Sequence, residues 1–199
     1  MITENLKSNM VIRLEEPKDH RAVEELTRAA FDTPDNENLM EHYLVHCLRK
    51  KDGVMELNFV AEIDGKIVGH IIYSHAHIAK IDGAKLDVLS FGPVSVLPKL
   101  QKCGIGSALM SFSIEEAKRL GYGAILFFGH PEYYPRFGFV EAATFGITDS
   151  SGKNYPAFMA MELARGYLAN AATGRFIESD AYNDNLNREA TLEFDKQFV

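Results

Sequence analysis

Apolar positions along this chain switch between a period of two and a helical period, and each switch marks an element. Met10-Val11-Ile12-Arg13-Leu14 is a short first strand. Pro17 and Asp19 suit a helix start. Val23, Leu26 and Ala30 then recur at helical spacing, which predicts a helix to about Phe31. Asp32-Thr33-Pro34-Asp35-Asn36 breaks it. A second amphipathic helix follows, with Leu39, Tyr43, Cys47 and Leu48 on related faces. Asp52-Gly53 ends that helix, and Leu57, Phe59, Ala61 and Ile63 alternate with Asn58 and Glu62. Asp64-Gly65 is a two-residue hairpin signal. A strand returns from Ile67 to about Ile78, and Asp82-Gly83 turns the chain again. The next strand runs from Lys85 to Val96, interrupted at Gly92-Pro93. Proline removes a ladder donor there and glycine invites a bulge, so a kink or splay is expected.

After Pro98 comes a glycine-containing segment and then a helix, whose apolar face is Ile105, Ala108, Leu109, Phe112, Ala117 and Leu120. Gly121 is a good terminator. Ala124-Ile125-Leu126-Phe127-Phe128 is wholly apolar, which suits a central strand buried on both faces. A last strand pair fits around Val140 to Ile147 and Ala157 to Leu163, and from Ala164 the pattern loosens. A meander followed by a crossover helix implies an α/β (α+β) fold: a mixed, mostly antiparallel sheet with helices on both faces.

Composition narrows the class. The 199 residues, 46% hydrophobic, suffice for one well-cored domain. We place that domain at 1–163, with 164–199 as a C-terminal extension packed on it. The net charge of −7 argues against a broad nucleic-acid surface and is compatible with a cationic amine substrate. Cys47 and Cys103 read as lying in two different helices, with neither a CxxC nor a zinc spacing. Met1 to Met10 is polar and lacks the apolar centre of a signal peptide. No stretch approaches the ~18 apolar residues that span a bilayer. A reducing cytoplasm, no membrane and no metal are the expectations.

Gln101-Lys102-Cys103-Gly104-Ile105-Gly106-Ser107 joins a strand end to a helix start. Free N–H groups and the positive dipole end make such a start an anion site. Glycines let phosphate oxygens approach the backbone. Lys99 and Lys102 add charge nearby. The Walker A pattern is absent. The dinucleotide fingerprint fails because Leu109 stands where its third glycine would fall. Gln101, Gly104 and Gly106 match the coenzyme A loop, Q/R-x-x-G-x-G/A. A helix start that uses glycine only for tight packing is the alternative.

The loop is followed by the strand Ala124–Phe128 and by Tyr134-Pro135-Arg136-Phe137-Gly138-Phe139, and preceded by Val94-Ser95-Val96-Leu97-Pro98. In this order and spacing the chain resembles the GNAT superfamily of N-acetyltransferases over about Leu57 to Leu163. The resemblance implies a sheet splayed at the cofactor site and acetyl-coenzyme A (acetyl-CoA) as cosubstrate. It implies that the Val94 N–H holds the thioester carbonyl and that Val96, with Ser95 between them, pairs with the pantetheine amides. It implies that Gln101, Lys102, Cys103, Gly104, Ile105, Gly106 and Ser107 contact the pyrophosphate, and that Tyr134 is the general acid. Many members carry an Asn shortly after the strand; here Gly129-His130-Pro131-Glu132 stands instead.

The implied activity is transfer of acetyl from acetyl-CoA to a primary amine of a small molecule or peptide, by direct attack in a ternary complex. Tyr134 also reads as a core aromatic, with Tyr133 its rival. His130, Glu132, Asp87 and Ser90 are candidates for the base, which stays unassigned. His42 and His46, four apart, and His75 and His77, on one strand face, each make a metal pair without a clear further ligand. The tail aromatics Phe176, Phe194 and Phe198 suit packing, a cleft cover or a homodimer contact. A catalytically silent acyl-CoA sensor and a nucleotide-binding oxidoreductase are the competing classes.

Overall fold

The computed structural model describes residues 9–34, 39–169 and 171–198. Most of the polar N-terminal run, and Asp35 and Asn36 of the helix-breaking segment, lie outside the described residues. Eight strands form one sheet: β1 (Met10–Leu14), β2 (Gly53–Ile63), β3 (Lys66–Ala79), β4 (Lys85–Val96), β5 (Ala124–Phe128), β6 (Val140–Glu141), β7 (Phe158–Glu162) and β8 (Arg175–Ile177). Their order is β1-β2-β3-β4-β5-β7-β6, with β8 paired to β3. The pairing of β4 with β5 is parallel, at Leu89↔Ile125, three residues short of Gly92. The β1–β2, β5–β7, β6–β7 and β3–β8 ladders are antiparallel. The α-helices are α1 (His20–Phe31), α2 (Glu41–Lys50), α3 (Ile105–Arg119) and α4 (Asp184–Asp195). The chain resolves into two compact units, residues 1–73, 92–113 and 180–199, and residues 74–91 and 114–179. Strands β3 and β4 run from one into the other, and the tail after 163 contributes to both.

In the first unit, Val23 of α1 and Leu44, Val45 and Leu48 of α2 pack with Val60 and Ile72 of the sheet. Each such side chain contributes about 1.5–3 kcal/mol on full burial. Polar groups are buried with them. Arg49 holds Glu15 and Glu24, the latter at 2.7 Å. Glu15 also accepts from Asn58, whose Oδ1 lies 2.8 Å from His70 Nε2. Buried charges need partners of this kind, because desolvation otherwise costs several kcal/mol per ion. The end of the chain docks by a second set: Arg28 reaches Asp195 at 2.7 Å, and Arg21 lies 3.9 Å over the Phe198 ring.

In the second unit, period-two alternation sorts the apolar run. Ala124 and Leu126 of β5 join Ala76, Ile78, Val88, Phe158, Ala160 and Phe176 in one core. Phe127, on the other face, packs with Phe91 and Phe139 at ring-centroid distances of 4.1 and 5.0 Å.

The outcome departs from the pattern in several places. The Val140 to Ile147 strand is only Val140–Glu141, and Ala142–Phe145 is a 3-10 helix. The loosened tail holds β8 and α4, too short and too polar to announce themselves. Leu39 lies outside α2, and Cys103 lies two residues before α3 rather than in a helix. Phe112 and Leu120, read as part of the apolar face of α3, are exposed. Both cysteines are free, and no described helix is long and apolar enough to cross a membrane.

Candidate active site

The glycine segment opens α3 as its sequence suggested. A 3-10 turn at Pro98–Leu100 brings the chain off β4, and the Ala108 N–H closes the first helical bond on the Gly104 carbonyl at 3.0 Å. The N–H groups at Ile105 and Gly106 therefore precede the helical ladder and face out of the helix start. Gly104 has φ +89° and Lys102 φ +61°, so the approach to the helix is left-handed at two points. At Gly104 this conformation is open to glycine at little cost and strained for residues with a Cβ. Ile105 is buried and anchors the helix, while Gln101 and Lys102 are exposed and Cys103, Gly104, Gly106 and Ser107 half-buried. The donors suit a pyrophosphate: backbone N–H groups, a cationic side chain and little bulk.

At the end of β4 the side chains alternate. Ser95 is fully buried and donates from Oγ to Thr27 Oγ1 of α1 at 3.0 Å. Its side chain is committed to α1, so any contact it makes with a cofactor is through its backbone. Val94 and Val96 are half-buried. The Val96 carbonyl accepts from Gln101 Nε2 at 3.3 Å, linking the strand end to the loop.

Tyr134 begins a 3-10 turn (Tyr134–Phe137) that ends at Gly138. Its ring lies 4.5 Å from Phe127 and 5.0 Å from Tyr133, both edge-on, and 5.8 Å from Phe91. Gly129 makes this seat: a Cβ there would stand 2.4 Å from Tyr134 Cε2. Burial, with a smaller contribution from Tyr133, pushes the Tyr134 phenol up to about 12. The phenol stands in an apolar wall, and the upward shift extends the pH range over which it stays protonated. Tyr133 is engaged otherwise, its ring under Arg136 at 4.3 Å.

The other candidates scatter. Asp87, His130 and Glu132 are exposed and Ser90 is buried. His42 is buried against Phe194 and Phe198, 3.1 Å from Asp195, and His46 faces Glu24 at 3.2 Å. Among the described residues, no group of three or more His, Cys, Asp or Glu is placed to hold a metal ion.

A family model, Acetyltransferase (GNAT) family, matches residues 20–139, more than half the chain. The chain belongs to the GNAT family of acetyltransferases. The N-acetyltransferase YhbS of Escherichia coli K12 is 31% identical over 180 residues, covering 90% of this chain and 99% of the relative. The crystal structure of E. coli YhbS in complex with CoA has a TM-score of 0.76 and 27% identity, covering 88% of this chain and 92% of that one. A GNAT acetyltransferase from Brucella melitensis in complex with acetyl-CoA has a TM-score of 0.70 and 30% identity, covering 87% and 98%. The mixed sheet with helices is the GNAT fold, and the chain is an acyltransferase.

One titratable group with a shifted pKa escaped the sequence reading altogether. Glu178, just after β8, has a carboxyl that burial pushes up to about 7. No motif surrounds it. Only the docking of β8 on β3, a pairing between residues about a hundred positions apart, gives it a special environment.

Proposed function

We propose that this enzyme transfers the acetyl group of acetyl-CoA to a primary amine of a small molecule or peptide, by direct attack in a ternary complex. The observation that carries this reading is Tyr134, a phenol seated in an aromatic wall by Phe127, Phe91 and Gly129. A sensor that only binds the cofactor has no use for such an acid. Gln101 to Ser107 hold the pyrophosphate through the N–H groups at the start of α3. Val94 offers its N–H to the thioester oxygen as negative charge develops there. Val96 pairs through its backbone with the pantetheine arm in the manner of an added strand. The cofactor supplies an activated acetyl group with a thiolate leaving group. Tyr134 hydrogen-bonds the departing thiolate and supplies its proton as the tetrahedral intermediate collapses, and the phenolate regains a proton from the amine nitrogen that becomes the amide. The two free cysteines fit a reducing cytoplasm.

The test is thermal stabilisation by CoA, acetyl-CoA, NAD and ATP, followed by thiol release across a panel of amines. Stabilisation by CoA and acetyl-CoA with amine-dependent thiol release is the expected result. Stabilisation by NAD or ATP alone overturns the cofactor assignment. Binding of acetyl-CoA with no transfer to any amine favours the silent sensor.

A further inference from the structure

In an antiparallel ladder the backbone groups of successive residues turn alternately to one side of the strand and the other. The Leu97 N–H donates to the Val68 carbonyl of β3 at 3.0 Å. Counting back by twos, Ser95 and Pro93 share that side, while Val96, Val94 and Gly92 share the edge turned away from β3. Side chains hold the two outer carbonyls of this edge. The Val96 carbonyl accepts from Gln101 Nε2 at 3.3 Å, and the Gly92 carbonyl accepts from the Tyr182 hydroxyl at 3.3 Å. Val94 stands between them. The Tyr182 ring also lies over the Gly92 α-carbon: a Cβ there would stand 4.0 Å from Tyr182 Cε1.

The chain takes care over where Tyr182 sits. It closes a 3-10 turn, Asp180–Tyr182, just before α4. Asn187 Nδ2 of α4 lies 3.0, 3.2 and 2.9 Å from the carbonyls of Asp180, Ala181 and Asn183, which ties the turn to the helix. Asn183 caps α4 by accepting from the N–H groups of Asn185 and Leu186. Ala181 and Tyr182 pack on the core that α1 and α2 form with the sheet. Arg28 fastens the far end of α4 through both oxygens of Asp195, at 2.7 and 3.2 Å. A phenylalanine at 182 would pack in the same place; the hydroxyl adds the bond to the Gly92 carbonyl.

That bond falls where the strand needs an anchor. Gly92 has φ +138°, a conformation that residues with a Cβ rarely adopt. Glycine turns through such values at little cost, so a contact from outside the strand has to fix its peptide plane. We propose that Tyr182 is a positioning residue of the acetyl transfer: by holding the Gly92 carbonyl it fixes the strand edge from which the Val94 N–H meets the thioester oxygen. The inference rests on the acetyl-transfer reading above, in which Val94 supplies that N–H. A donor of this kind works because it is aimed before the charge develops. A displacement far smaller than a bond length then costs rate without costing cofactor affinity. The segment 180–198 thus serves the reaction as well as the packing of α1 and α2.

The experiment compares wild type with Tyr182→Phe by infrared difference spectroscopy of bound acetyl-CoA carrying 13C at the thioester carbonyl, and by kinetics on an amine that releases thiol. A hydrogen bond to the carbonyl lowers its stretching frequency, so the Tyr182→Phe band should lie higher than that of wild type. The kcat should fall about 10-fold while the acetyl-CoA Kd changes less than about twofold. Tm should fall by no more than about 4 °C. If it falls further, the same two readouts are taken on Asn187→Ala, which keeps the phenol and unties its turn; both should move in the same direction. An unmoved band, an unchanged kcat, or a loss of acetyl-CoA affinity as large as the loss of kcat/KM overturns the proposal and leaves the transfer reading intact. A wild-type enzyme that binds acetyl-CoA yet acylates no amine overturns the transfer reading, and the position of the band then decides the role of Tyr182 by itself. Failure of the wild type to bind acetyl-CoA overturns both.

Discussion

In the reaction proposed above, the start of α3 and the end of β5 use different parts of the chain. At the start of α3 the donors are backbone N–H groups, and side chains matter mainly by being small or by permitting a left-handed turn, as Gly104 does. At the end of β5 the backbone is committed to ladders, and the candidate group is a side chain, Tyr134, tuned by what surrounds it. A backbone site tolerates variation between its glycines. A side-chain site depends on each aromatic neighbour.

The largest effect expected from breaking this contrast is at Tyr134. Tyr134→Phe keeps the ring packed on Phe127 and Phe91 and removes only the proton. It should lower kcat about 100- to 10,000-fold, the usual range for a general acid, while leaving the acetyl-CoA Kd unchanged. Steady-state kinetics beside calorimetric binding separates the two. An unchanged kcat on a confirmed acceptor reduces Tyr134 to a packing residue.

Gly104→Val should do the reverse. A β-branched residue at φ +89° distorts the turn at a cost of roughly 1–3 kcal/mol. Acetyl-CoA affinity should fall roughly 10- to 100-fold, since each 1.4 kcal/mol is tenfold. The kcat at saturating cofactor should stay close to wild type. A selective loss of kcat would mean that the loop positions the thioester and does not merely hold phosphate.

The same contrast explains what could be read from the residues. The meander, the crossover helix and the central strand were legible because each is a local pattern: Asp64-Gly65 between alternating strands, Ile105 to Ala117 at helical spacing, five apolar residues in Ala124–Phe128. The loop was legible as a helix start because the turn into α3 is left-handed at Gly104, a conformation that favours glycine. Strand β8 was not, because three residues make no period and its stability comes from Phe176 packing against Phe158. Glu178 was not, because a carboxyl is tuned by burial that only tertiary structure creates. Ser95 shows the limit of a motif: its place in Val94-Ser95-Val96 gave no sign that its hydroxyl goes to Thr27.

Lys102→Ala sharpens the comparison with a smaller effect. Lys102 is exposed, so its attraction for phosphate is screened by solvent and salt. If the backbone supplies the site, the acetyl-CoA Kd should weaken less than about fivefold at 0.15 M salt, with the difference shrinking further at 0.5 M. A loss matching that of Gly104→Val would transfer the weight of the loop from backbone to side chain.

The smallest expected change is none, and it tests the side-chain site most directly. Tyr134 must be protonated to act as an acid, so activity that depends on it falls as pH rises through its pKa. An ordinary tyrosine would impose that alkaline limb near pH 10. Burial moves the Tyr134 phenol up to about 12, so kcat should stay level through pH 10 and decline only above it. Stability follows the same sign. The folded form holds the proton more firmly than the unfolded chain, so the contribution is complete below pH 10 and is lost as pH rises toward 12. Replacing a neighbour should expose the mechanism. Phe127→Ala opens the wall around the ring to water, which should bring the alkaline limb of kcat back toward pH 10 while the acetyl-CoA Kd holds. A limb that does not move would mean that the aromatic wall seats Tyr134 without tuning it.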